Sequence, residues 1–136
     1  MTTIHLQGGA EMIEAAKSAA GSTKILGVSL LTSLDKKDTE QLYGNAFENQ
    51  FNKLVTVAQS SSIDGIICSP QELVKLHDFN KLKVVPGIRN AQTEDDQKRT
   101  MSAEDAYAQG ADYIVVGRPI TQANNVESAL EEYLPW

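Results

Sequence analysis

The sequence predicts an α/β protein: half of a (β/α)8 TIM-type barrel, about four βα units with parallel strands, forming a single domain over residues 1–136. Three observations lead there. Short β-branched runs alternate with longer stretches of helical period, the pattern of βα units around a parallel sheet. The run Ile25 to Leu31 is apolar at nearly every position, as a strand covered on both faces requires. At 136 residues the chain is too short for a complete barrel, which typically takes roughly 250 residues.

Thr3-Ile4-His5 reads as the tail of a leading strand. Gly8-Gly9 then opens a helix whose apolar positions Met12, Ile13, Ala16, Ala19 and Ala20 recur at helical spacing. Ile25 to Leu31 is the next strand, and a polar loop follows it. Phe47, Phe51, Leu54, Val55 and Ala58 make a helical stripe, and Ile63 to Cys68 forms another strand. Ser69-Pro70-Gln71-Glu72 is a capping box with proline at the first helical position, predicting a helix through Leu73 and Leu76. The strand Lys83 to Val85 comes next, then a long polar segment from Pro86 to Met101. Ser102 can cap a helix that turns Ala103, Ala106 and Tyr107 inward. Tyr113 to Val116 is the last strand, and Val126, Ala129, Leu130 and Tyr133 place an amphipathic helix after it. The sequence opens almost inside a strand, which predicts a piece of a longer barrel: a fragment, a split product or a barrel cut at its midpoint.

Composition narrows the class of partner. With a net charge of −6, the chain lacks the clustered Lys and Arg that nucleic acid or an acidic membrane surface would demand, so neither partner is expected. An anionic ligand must therefore be held locally by a few placed groups. The single cysteine, Cys68, excludes an intramolecular disulfide and a Cys-rich zinc site; inside an apolar run it reads as a buried thiol, fitting a reducing, cytoplasmic setting. No apolar stretch approaches the roughly 18 residues of a membrane span, and no signal-peptide pattern precedes the first helix.

The chemistry is expected where strands end and helix-bound loops begin, and phosphate is commonly held by the loops after the last two barrel strands. Here those loops are Val85-Pro86-Gly87-Ile88-Arg89 and Val116-Gly117-Arg118-Pro119. A glycine at a strand end lets backbone N–H groups approach an anion, and an arginine beside it offers a planar fork of donors. The same spacing also fits a plainer account, in which Gly117 only turns the chain and both arginines are solvated.

At these residues the sequence resembles a known family. Gly8-Gly9, Leu31-Thr32-Ser33, Val85 to Arg89, Asp96-Gln97-Lys98-Arg99 and Asp112 to Thr121 match, in order, the C-terminal motifs of bacterial orotidine 5'-monophosphate decarboxylases. The similarity runs over essentially the whole chain, and the motifs are specific in combination rather than singly. The resemblance implies that Arg89, Gln97, Gly117 and Arg118 bind the nucleotide phosphate, that Thr32 lies beside the pyrimidine, and that Pro86 packs near the base. The Pro86 to Gln97 segment resembles the phosphate-gripping loop of that family. The implied ligand is a nucleoside monophosphate, orotidine or uridine 5'-monophosphate, and no cofactor is called for.

The resemblance also implies what is missing. Loss of carbon dioxide from the pyrimidine leaves a carbanion, so the site needs a positioned cation and proton donor with carboxylates fixing it. In the family that cation is a lysine within Asp-x-Lys-x-x-Asp at an earlier strand end, and no such segment precedes Met1; the chain carries no expected catalytic residue. Asp35-Lys36-Lys37-Asp38-Thr39-Glu40 imitates the motif but is expected in a polar loop, as a solvated run of charge. His5 aligns with a family strand-end histidine yet reads more simply as a packing residue, and His77 as a surface residue on a helix. Neither histidine has a partner at metal-ligand spacing.

Two other functions fit the same residues: a non-enzymatic phosphate-binding half-barrel, or part of a related sugar-phosphate decarboxylase. Thr32-Ser33 and the run Asp96 to Arg99 favour the pyrimidine enzyme. Two unpaired sheet edges are expected, with the strand residues Ile25, Val28, Ile66, Val84 and Ile114 turned inward without partners. Such edges are templates for association, so a homo-oligomer or pairing with an N-terminal half-barrel is the expected assembly.

Overall fold

The computed structural model describes residues 1–90 and 100–134. Five strands, β1 (Thr2–His5), β2 (Ile25–Val28), β3 (Gly65–Ile67), β4 (Leu82–Pro86) and β5 (Tyr113–Val115), form one parallel sheet in the order of the sequence. Helices α1 (Gly9–Ala19), α2 (Lys36–Tyr43), α3 (Phe47–Ser60), α4 (Ala103–Ala108), α5 (Arg118–Thr121) and α6 (Val126–Glu131) connect and follow them. This is the expected α/β half-barrel: a leading strand followed by four further βα units. Among the described residues no helix is long and apolar enough to cross a membrane.

The pairing register sorts the side chains. Thr2 pairs with Ile25, Gly27 with Ile66, and Val85 with Ile114. Successive strand residues point to opposite faces, so Ile25, Ile66, Val85 and Ile114 share one face and Val28, Ile67 and Val84 share the other. The first face packs with Ile13, Phe51, Leu54, Leu73 and Ala106 in the main core. The expected set of five unpartnered inward residues is therefore split: Ile25, Ile66 and Ile114 face the helices, and only Val28 and Val84 face away from them. On that second face the row runs His5, Val28, Ile67, Val84, Tyr113, with His5 and Tyr113 exposed at its ends.

Several elements depart from expectation. The loop after β2 contains α2, because Asp35 and Asp38 cap its start reciprocally: the Asp38 N–H donates to Asp35 Oδ1 at 2.9 Å and the Asp35 N–H to Asp38 Oδ2 at 3.0 Å. The strand expected to reach Leu31 ends at Val28, where the buried Ser29 donates its hydroxyl to the Ile67 carbonyl at 2.8 Å. The Ser69 capping box starts a 3-10 helix over Pro70–Lys75 instead of an α-helix. Val126 and Leu130 are 51% and 45% exposed, so of the expected stripe only Tyr133, in the turn after α6, is buried. His77 lies in a turn beyond the 3-10 helix, exposed and 2.9 Å from the Asp78 carboxylate. Cys68 is buried, as its apolar setting predicted.

Candidate functional site

The candidate site is built from the C-terminal ends of neighbouring strands. Because β4 and β5 are parallel and Pro86 pairs with Val115, the segments Gly87–Arg89 and Gly117–Arg118 leave the sheet side by side in the same direction. Adjacent strands lie about 4.8 Å apart, so the two arginine loops are direct neighbours. Thr32 sits in the turn after β2, closed by the Leu34 N–H donating to the Leu31 carbonyl at 3.0 Å. From there β3 and β4 intervene before β5, a separation of roughly 15 Å along the sheet.

Local chemistry explains how the backbone delivers these residues. Gly87 follows Pro86 with φ of 80°, a left-handed conformation that costs a side-chain-bearing residue. The chain turns there and immediately docks: the Arg89 N–H donates to the Met101 carbonyl at 2.9 Å, and Ile88 and Met101 form a parallel bridge. Arg89 is half-buried, and its Nη1 donates to the Ile88 carbonyl at 2.9 Å. Gly117 precedes α5, whose Ile120 and Thr121 N–H groups both turn back to the Gly117 carbonyl at 3.0 Å. A side chain placed on Gly117 would meet nothing within 4 Å, so the space beside this glycine is open. Pro119 at the second position of α5 suits a helix start, where its missing N–H costs nothing.

Of the expected site residues, Pro86, Arg89, Gly117 and Arg118 thus fall on two adjacent strand ends, and Thr32 on the same side of the sheet. Gln97 lies outside the described residues, as does the run Asp96 to Arg99. Among the described residues, two clefts lie away from these strand ends. One of about 370 Å3 is lined by Asp35, Phe47, Glu48, Glu72 and Lys75 beside the ends of β2 and β3. Its carboxylates are engaged in structure: Glu72 accepts from the Ser69 N–H at 3.1 Å, and Glu48 pairs with Lys75. The other, about 440 Å3, opens at the opposite ends of the strands between Asp64, Lys81 and Asp112. Neither is lined by an expected site residue. Among the described residues no group of three or more His, Cys, Asp or Glu could hold a metal ion.

Sequence reasoning missed Asn90. Its side chain and backbone bond to Ala103, Glu132 and Tyr133, directly after Arg89. An asparagine beginning a polar run gives no sequence signal for contacts so distant in the chain.

A parallel sheet in chain order, with glycine-arginine segments at its C-terminal strand ends, places the chain in the βα-barrel class of folds. Comparison with known proteins makes this specific. A family profile described as orotidine 5'-phosphate decarboxylase / HUMPS matches residues 1–133. The orotidine 5'-phosphate decarboxylase of Erythrobacter litoralis is 39% identical over 97% of this chain, and that of Neisseria meningitidis serogroup C is 42% identical over the same share. The crystal structure of the Lactobacillus acidophilus orotidine 5'-phosphate decarboxylase superposes with a TM-score of 0.76 at 34% identity, over 97% of this chain and 62% of its own. The chain belongs to the orotidine 5'-phosphate decarboxylase / HUMPS family. It spans 61% and 58% of the length of the two curated relatives.

Proposed function

We propose that this chain supplies the C-terminal, phosphate-gripping portion of an orotidine 5'-monophosphate decarboxylase site, acting on a soluble nucleotide in the cytoplasm. Arg89, Gln97, Gly117 and Arg118 bind the phosphate, Thr32 lies beside the pyrimidine, and Pro86 packs near the base. The observation that carries the reading is the register between β4 and β5, which sends two glycine-arginine loops off the same end of adjacent strands. In decarboxylation the bond from the pyrimidine ring to its carboxylate breaks, carbon dioxide leaves, and the electron pair remaining on the ring carbon takes up a proton. The cation and proton donor for that step belong to the remaining part of the barrel, while phosphate binding remote from the reacting carbon is used to stabilise the transition state. A second copy or an N-terminal half-barrel covers the outer edges of β1 and β5.

Calorimetry with uridine 5'-monophosphate tests the phosphate site. Arg118→Ala removes a charge-assisted, two-pronged contact and weakens binding by about 1.5–3 kcal/mol. Equal affinities in wild type and variant defeat the reading. The chain alone is expected to leave the ultraviolet absorbance of orotidine 5'-monophosphate unchanged, and adding an N-terminal half-barrel that carries Asp-x-Lys-x-x-Asp is expected to start its loss.

A further inference from the structure

One asparagine joins three parts of the chain beside the arginine loop. The Asn90 backbone N–H donates to the Tyr133 hydroxyl at 3.2 Å. Its Nδ2 donates to the Glu132 carbonyl at 2.8 Å, and its Oδ1 accepts from the Ala103 N–H at 3.1 Å. The two ends of the amide fix each other's assignment, because a carbonyl only accepts and a backbone N–H only donates. Both partners are groups that helix ends leave without an intrahelical mate: Ala103 is the first residue of α4, and Glu132 directly follows α6. Ala103 is fully buried, so its N–H needs a protein partner in place of water. Tyr133, in turn, is buried in the core and cannot swing away.

The bonds on either side of Arg89 then add up. Ile88 is bridged to Met101, the Arg89 N–H is bonded to the Met101 carbonyl, and Asn90 is tied at its backbone and at both ends of its amide. The main chain that carries Arg89 is therefore held from the start of α4 and from the turn that follows α6.

We infer that Asn90 is a positioning residue: its amide ties the start of α4 to the end of α6 and so fixes the backbone from which Arg89 reaches the phosphate. The inference rests on the phosphate-binding reading above and adds a residue that acts without touching the ligand. A displacement of about 1 Å is enough to spoil a placed contact, so this anchor matters to affinity well beyond its own bonds.

The test measures the affinities of the full chain for uridine 5'-monophosphate and for uridine, whose ratio isolates the phosphate contribution. Asn90→Ala lowers that ratio by about tenfold while uridine affinity holds. Tyr133→Phe, which keeps the ring in the core and removes only the hydroxyl, lowers it by a smaller factor. An unchanged ratio in Asn90→Ala, with a lowered ratio in Arg118→Ala, overturns the positioning role and leaves the phosphate site standing. An unchanged ratio in Arg118→Ala overturns the phosphate site and the positioning role with it. Equal losses for both ligands in Asn90→Ala assign Asn90 to the fold alone and also overturn the inference.

Discussion

Asp112 and Lys83 hold each other twice across the start of the β4–β5 seam. The Lys83 N–H donates to Asp112 Oδ2 at 2.7 Å, and the Asp112 N–H returns to the Lys83 carbonyl at 2.9 Å. Asp64 and Ile25 repeat the arrangement at the β2–β3 seam, at 2.7 and 2.9 Å. Each aspartate stands immediately before its own strand, so one side chain sets the register of that strand against its neighbour.

Asp64 also accepts from Lys17 Nζ at 2.7 Å, and this bond, followed by the Ile25 N–H, holds its carboxyl below the ordinary value of 3.8 against the opposing effect of burial. As pH falls, the unfolded chain therefore takes up the proton first. The stabilisation is complete well above pH 3.8 and is lost as pH drops through the lower, folded value. Asp64→Asn is expected to cost about 1 kcal/mol at neutral pH, with solvent screening keeping the figure small, and to flatten the acid limb. Urea midpoints from pH 7 down to 3 check this; superimposable pH profiles would refute it.

Two strand glycines face different obstacles. A Cβ on Gly65 would lie 2.5 Å from the Leu82 carbonyl oxygen, whereas one on Gly27 would meet the side-chain tips of Leu6 and Ile63 at 2.4 and 2.7 Å. Side-chain ends can rotate; a paired backbone cannot. Gly65→Ala is expected to destabilise more than Gly27→Ala, within an overpacking range of about 1–3 kcal/mol. The reverse order of thermal midpoints would contradict this account of the seam.

Strand identity and order were legible because β-branched runs separated by helical stripes leave few alternatives, and the pairing loops Gly87–Arg89 and Gly117–Arg118 could be placed from that order alone. What failed was local. The run Asp35 to Glu40 looked like a solvated loop because its charges dominate the eye, yet Asp-x-x-Asp forms a capping box, a device the sequence showed at Ser69 as well. The exposure of Val126 and Leu130 was not legible, since helical spacing records where apolar residues stand, not whether anything covers them. Asn90 was illegible for a further reason: its partners lie 13, 42 and 43 residues away.

Removing the cap of α2 tests the correction at Asp35. Asp35→Ala loses the acceptor for the Asp38 N–H and is expected to cost about 1 kcal/mol, with faster amide exchange confined to Lys36–Tyr43. Uridine 5'-monophosphate affinity should not change, because the Asp35 to Glu40 run caps a helix. A large loss of affinity would return that run to the site.

Self-association is the assembly proposed for the uncovered end of the sheet. Val115, Leu130 and Leu134 are 48%, 45% and 50% exposed around β5 and the end of α6. Light scattering at micromolar concentration should show self-association of the wild-type chain, and the triple variant Val115→Lys, Leu130→Lys, Leu134→Lys should shift it to monomer. A wild-type monomer with cooperative unfolding would mean that these residues need no partner.

Strand order that copies chain order has a consequence for synthesis. Among the described residues every seam of the sheet joins strands consecutive in translation, so each strand emerging from the ribosome finds its neighbour already made. No strand must wait for a distant one, and loop-closure entropy stays low at every step. The sheet can grow like a zip, one tooth per βα unit, with Asp64 and Asp112 each catching the strand that came before. Slow steps in refolding are then expected from docking the last helices, whose contacts reach back across the chain, and not from assembling the sheet.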